Sequence, residues 1–225
     1  MGSRVLVWSG GVLFVTALGV TAWSYTVVMG RTQPGGGWSA AAVDAALITV
    51  FAFHHSLFAR DSIKTVMVRL VPPGFERSVY VWVASLLLLG VCAFWRPIGG
   101  EWYRVSGAPA IGFAIVQLIG LGLTARAAAR IDPLELAGIR SAAQTGGLQI
   151  GGPYRWVRHP LYLGWFLMVF GAAHMTGDRL AFAGLTTIYL MVAIPWEEQS
   201  LRRTFGDDYR RYTSTVRWRM IPFIY

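Results

Sequence analysis

The sequence predicts an all-α integral membrane protein. It reads as a helical bundle of about five or six transmembrane segments, the last two a helical hairpin, with a cytoplasmic C-terminal helix. Three observations point there. Hydrophobic residues make up 55% of the 225 residues and charged ones only 14%, whereas a soluble domain carries roughly a quarter charged residues. The apolar residues lie in long blocks, as a bilayer requires. The Lys and Arg residues fall between the blocks, and mostly on one side of them. The net charge of +9 is therefore explained by cytoplasmic loops, which collect basic residues, and no nucleic-acid partner is expected. The single cysteine, Cys92, lies in an apolar run, so no disulfide forms within one chain.

Val5 to Gly30 carries no charge and is long enough to cross a core of ~30 Å at ~1.5 Å per residue. A signal peptide with Val20-Thr21-Ala22 as a loose cleavage site is the alternative. Against it, only Arg4 stands in the n-region and the apolar part runs long. Arg31 to Trp38, with Pro34 and three glycines, is a turn. The second span is roughly Trp38 to Ala59, with Asp44 near its start and His54-His55 near its end. Arg60 to Arg77, broken by Pro72-Pro73-Gly74, reads as a short interfacial helix and a turn. Ser78 to Trp95 is the third span, ended by Arg96-Pro97 and Gly99-Gly100, and Val105 to Ala125 the fourth. Arg126 to Arg158 is polar with little periodicity; Asp132 and Glu135 suit a solvated helix start there. Pro160 to Gly177 and Leu180 to Trp196 are two short apolar runs split by Gly177-Asp178-Arg179, the natural pattern of a hairpin. From Glu197 the chain is amphipathic and charged.

Grouping Arg4, the 60–77 and 126–158 segments and the C-terminus on one side gathers 16 of the 20 Lys and Arg residues there. The positive-inside rule makes that side cytoplasmic, with both termini on it. In a bacterium the membrane would be the plasma (inner) membrane. Two regions result: 1–130, a four-helix membrane region, and 131–225, a loop, hairpin and C-terminal helix acting as one structural unit.

The chemistry gathers in the second region. Gly151-Gly152-Pro153-Tyr154-Arg155-Trp156-Val157-Arg158-His159-Pro160-Leu161-Tyr162 precedes the hairpin and Glu197-Glu198 follows it. A tight hairpin returns the chain to the face it left, so His159 and Glu197 should face each other at one depth. Glycine lets backbone approach a ligand, and Pro160 suits a first helical turn. Singly, these residues have plain explanations: arginines as membrane anchors, Tyr and Trp as interfacial belt, acids as first-turn residues. Together they set ionisable groups at membrane depth, which marks a functional site. His54-His55 is either a substrate-pocket feature or a pair of helix-end residues bonded to neighbours. With only four histidines in the chain, and adjacent helical residues ~100° apart, no metal site is expected. His174, beside Met175, looks structural.

The run Arg158-His159-Pro160-x-Tyr162-x-Gly164, then Glu197-Glu198-x-x-Leu201, then Phe205-Gly206-x-x-Tyr209-x-x-Tyr212 resembles the integral membrane methyltransferases of the isoprenylcysteine carboxyl methyltransferase superfamily, which includes phospholipid methyltransferases. His55-Ser56-x-x-Ala59-Arg60, Pro72-Pro73-x-x-Glu76-Arg77-Ser78-x-Tyr80 and Trp95-Arg96-Pro97 resemble its methanethiol S-methyltransferase and NnrU-like branch. The resemblance implies S-adenosylmethionine as cofactor and a small lipophilic, methanethiol-like thiol as acceptor, methylated by in-line displacement. Cofactor-binding candidates are Gly152, Pro153, Tyr154, Val157, His159, Pro160, Tyr162, Glu197 and Glu198. Catalytic candidates are His55, Arg158 and Glu198. Carboxyl methylation of prenylated cysteine, N-methylation of a phospholipid, and a non-catalytic membrane assembly role are the alternatives. The partners implied are a lipid-like substrate and the bilayer.

Overall fold

The computed structural model describes residues 2–58, 71, 75–131, 134, 137–139 and 147–225. Helix α1, Gly2–Trp23, continues into one π-helical turn, Ser24–Val28. Then follow α2 (Gly37–Phe58), α3 (Glu76–Phe94), strand β1 (Glu101–Arg104) and α4 (Ala108–Ala128). A 3-10 turn, Gly152–Arg155, leads to α5 (Pro160–Phe170), strand β2 (His174–Thr176) and α6 (Gly177–Thr215). The interfacial helix expected over Arg60 to Arg77 and the helix start at Asp132 and Glu135 fall largely or wholly outside the described residues.

Among the described residues five helices are long and apolar enough to cross a membrane. Their surfaces agree with that use. Helix α4 buries Gly120, Leu123 and Ala127 but exposes Ile111, Ile115, Leu118, Ile119 and Leu121. A helix apolar on its outer face as well is one whose solvent is lipid. The protein is thus a multi-pass membrane bundle, with a two-stranded ribbon as its only sheet among the described residues.

The hairpin departs from expectation at its bend. The apolar run from Pro160 to Gly177 is not one helix. Helix α5 has 11 residues, about 17 Å at ~1.5 Å each, and ends where the Gly171 N–H closes on the Leu167 carbonyl at 2.9 Å. The chain then extends and pairs with β1, the Val105 N–H meeting the Ala173 carbonyl at 2.8 Å. Glu101 reinforces the ribbon, its Oε2 lying 2.7 Å from His174 Nε2 and 2.8 Å from an Arg104 guanidinium nitrogen. The hairpin therefore turns through a polar ribbon, and His174 has the structural place expected of it. Helix α6 has 39 residues and bends at Gly206, whose φ of 51° lies in the left-handed region. Its apolar part ends at Trp196, and Glu197 onward lies outside that span.

The described chain divides into two compact units. The first holds α1 to α3 with residues 176–178. Two fully buried carboxylates organise it. Asp44 Oδ1 accepts the Arg96 N–H at 2.8 Å, and Asp178 Oδ1 accepts Trp95 Nε1–H at 2.8 Å and the Ile98 N–H at 2.9 Å. The turn after α3 is clamped by neutral donors. At the end of α2, His55 Nδ1 lies 2.6 Å from the Tyr80 hydroxyl, and Phe51 stacks on the His55 ring.

The second unit holds α4, α5 and α6 from Arg179 onward. Helix α4 groups with it because two glycines let backbones touch. A Cβ on Gly120 would meet the Gly164 carbonyl at 2.7 Å and the Met168 nitrogen at 2.8 Å, the small-residue contact on which membrane helices rely. Gly164, the glycine of the Arg158–Gly164 run, therefore serves helix packing. Trp165 Nε1–H donates to Thr186 Oγ1 at 3.0 Å and pins α5 to α6.

Candidate active site

At the mouth of the hairpin His159 caps α5, followed by Pro160 at the first helical position. The last apolar turn of α6 hands over to Glu197 and Glu198. The expected meeting occurs: His159 Nδ1 stands 3.5 Å from Glu197 Oε2, and His159 Nε2 stands 3.5 Å from Glu198 Oε1. Arg158 Nε–H donates to Glu198 Oε1 at 2.7 Å. Tyr162 O–H donates to Glu197 Oε2 at 2.8 Å, and its ring lies parallel to the His159 ring, 5.4 Å between centroids.

The two glutamates differ. Glu198 is buried, and besides Arg158 it has Arg219 Nε at 3.3 Å and an Arg202 guanidinium nitrogen at 3.7 Å. Glu197 remains 44% exposed at its side chain and carries the accessible negative charge. Burial opposes ionisation of Glu198, yet His159, Arg158 and Arg219 outweigh it and bring its pKa down to about 2. Burial likewise opposes a proton on His159, but the two carboxylates outweigh it and raise its pKa above the ordinary imidazole value. The cluster is an ion network with the imidazole shared between two carboxylates.

Its floor is the core of the unit. Tyr154, Tyr209, Tyr212, Val216 and Ala127 pack together, and Tyr212 O–H donates to the Tyr154 carbonyl at 2.7 Å. Burial and the charge of Glu197 push the Tyr154 phenol up to about 12, so it stays protonated. Val157 and Pro160 are buried beside the network, and Pro153 within the 3-10 turn. Gly152 takes φ 60°, open to glycine at little cost.

Two contributors were missed in the sequence. The segment after α6 folds back: the Trp218 carbonyl accepts the Arg158 N–H at 2.9 Å, and the Arg219 carbonyl accepts the His159 N–H at 2.8 Å. Arg158 also donates to the Val216 and Arg217 carbonyls, each at 3.2 Å. Arg219 then reaches Glu198 while its guanidinium sits 5.3 Å from the Tyr225 ring centre, and Tyr225 O–H donates to the Met191 carbonyl. The second contributor is Arg130, which lies against Gly151 and Gly152. The aromatic run Trp218 to Tyr225 was the available signal for the first; Arg130 gave none beyond its charge. His55 belongs to the first unit, where its partner is Tyr80.

A family model described as phospholipid methyltransferase matches residues 139–208. The methanethiol S-methyltransferase of Crocosphaera subtropica is 36% identical over 191 residues, covering 81% of this chain and 74% of that protein. The methanethiol S-methyltransferase of Mycobacterium tuberculosis is 37% identical over 187 residues, covering 79% of this chain and 76% of its own length. Nurim of Xenopus laevis is more distant, 28% identical over 166 residues, covering 66% of this chain and 58% of that protein. No solved structure matches significantly. Fold and relatives together define an integral membrane methyltransferase. The chain belongs to the isoprenylcysteine carboxyl methyltransferase and phospholipid methyltransferase superfamily, in its methanethiol S-methyltransferase branch.

Proposed function

We propose that the protein transfers a methyl group from S-adenosylmethionine to a small lipophilic thiol. The observation that carries this reading is the His159–Glu197–Glu198–Arg158 network at the hairpin mouth, in a chain whose relatives are named for methanethiol. The residues fit the cofactor. The Tyr209 hydroxyl beneath the network is buried and makes no hydrogen bond among the described residues, so the site holds polar capacity that its own side chains leave unused. A zwitterion with a flat adenine calls for an accessible carboxylate, cationic donors and a ring. Glu197 would pair with the ammonium, His159 and the Gly152 N–H would face the carboxylate or ribose, Arg158 would hold Glu198 in place, and Tyr162 would pack on adenine. Pro153, Val157 and Pro160 would form walls, and Glu198 would set the field that orients His159. Bound there, the cofactor would supply an electrophilic methyl group on a sulfonium.

What remains for the protein is alignment, worth up to ~7–11 kcal/mol, and the thiol proton. His55 would take that proton. Its ring already shares a short hydrogen bond with Tyr80, an arrangement able to relay a proton. An apolar acceptor would arrive through the bilayer and the charged cofactor from the cytoplasm, where both termini lie. Reporter fusions at Tyr225 and within Arg31 to Trp38 should report opposite sides; the same side for both would refute the orientation.

Purified protein given methyl-labelled S-adenosylmethionine and a panel of methanethiol, longer alkanethiols, prenylcysteine and phosphatidylethanolamine should place label in a volatile thioether. Label in the prenylcysteine ester or the lipid instead would overturn the acceptor. Folded protein that transfers nothing to any of them would overturn catalysis by this mechanism.

A further inference from the structure

Arg130 ends the turn that closes α4, its N–H bonded to the Ala127 carbonyl at 3.1 Å. From there its guanidinium lies over the Gly151-Gly152 backbone. A Cβ on Gly151 would stand 3.4 Å from one terminal nitrogen, and a Cβ on Gly152 would stand 3.3 Å from the other and 3.4 Å from Nε. Gly152 needs glycine for its φ of 60°. Gly151 does not: its φ of −97° and ψ of 164° suit any residue. At Gly151 a Cβ would rest in ordinary contact with the guanidinium.

The arginines of the unit fall into two sets, with Arg130 and Arg155 outside the Glu198 network. Arg158, Arg202 and Arg219 all approach Glu198. Arg130 is exposed and makes no ion pair or side-chain hydrogen bond among the described residues. The 3-10 turn beneath it continues to Tyr154, whose phenol feels the charge of Glu197. The Gly151–His159 segment thus has the guanidinium of Arg130 against one end and the accessible carboxylate of Glu197 at the other. A guanidinium resting against a backbone keeps N–H groups for a two-toothed contact, the geometry that carboxylates take.

We infer that Arg130 is the carboxylate-binding residue for the amino-acid end of the cofactor, with Glu197 taking the ammonium. The inference rests on the cofactor reading above and deepens it: the site selects a donor that carries an α-carboxylate, and Arg158 is left to hold Glu198 and the tail. Arg130 touches no reacting atom, so its effect is read in cofactor affinity.

The test compares S-adenosylmethionine with its decarboxylated form, which keeps the ammonium and sulfonium. Binding to the wild type, Arg130→Gln and Arg130→Lys is measured in detergent alongside thermal unfolding. The wild type should favour the carboxylate-bearing ligand by about 10- to 100-fold, the range for a charged hydrogen bond. Arg130→Gln should bind the two ligands about equally, holding the decarboxylated one as well as the wild type does. Arg130→Lys should regain part of the preference. If Arg130→Gln keeps the wild-type preference, or weakens both ligands alike, the assignment is overturned while the cofactor reading stands. If folded wild type binds neither ligand, the cofactor reading falls, and this assignment with it.

Discussion

The two units bury carboxylates in different company. In the first, Asp44 and Asp178 are met by backbone N–H groups and an indole N–H. In the second, Glu198 is met by an imidazole and three guanidinium groups. Neutral donors around an acid fasten a turn and leave its charge where it is. Cations around an acid build a network whose charge balance a ligand can join. Burial alone does not tell a clamp from a site; the chemistry of the partners does.

The largest effect should come from Glu198→Ala. It strands Arg158, whose side chain is 10% exposed, and breaking such a pair costs about 3–5 kcal/mol. Denaturation in detergent should show that loss, with no cofactor binding in the protein that remains folded. A variant that unfolds like the wild type would show that the network is not the keystone of its unit. Asp178→Ala should cost about 1–3 kcal/mol for each donor it orphans, while turnover per folded molecule is kept. Asp178→Asn, which retains a carbonyl acceptor, should cost about 1 kcal/mol or less. If Asp178→Asn instead abolished turnover in folded protein, the clamp would have to be counted as part of the site.

A smaller effect belongs to Tyr162→Phe. It removes the donor to Glu197, a hydrogen bond worth about 0.5–1.5 kcal/mol, and should weaken S-adenosylhomocysteine about 2- to 10-fold by calorimetry. No change would mean that the hydroxyl does not tune Glu197. The smallest is a pH effect confined to the second unit. Glu198 is held near 2 against an ordinary 4.5, so its contribution to stability is whole above pH 4.5 and fades as pH falls towards 2. His159 is raised above 6.5, so its contribution is whole below pH 6.5 and fades as pH rises through the raised value. Unfolding measured across pH should therefore show an alkaline decline that His159→Gln lacks. Superimposable profiles would remove the shared proton from the account.

Much of this was legible in the sequence because membrane helices announce themselves. An uncharged block of some twenty residues has one use in a bilayer, and the α2, α3 and α4 boundaries fall within about three residues of those expected. The approach of His159 to Glu197 followed from hairpin geometry alone. The rest depended on contacts without sequence periodicity. Nothing marks that β1 would capture the end of the α5 run, since strand pairing is a long-range choice. The return of Trp218 and Arg219 to Arg158 and His159 uses backbone carbonyls, which every residue possesses. Gly151 reads as a place where backbone approaches a ligand, and only the folded chain reveals the guanidinium of Arg130 against it.

The folded-back tail has a consequence for biosynthesis. Arg158 reaches the Arg217 carbonyl across 59 residues, and Glu198 completes its set of cations only with Arg219. While the ribosome still holds that stretch, the hairpin can enter the membrane but its ionic network stays open. Insertion and completion of the network should therefore be separable. A nascent chain arrested at Thr215 should be membrane-embedded yet unable to capture nucleoside, and quality-control proteases would meet it in that unfinished form.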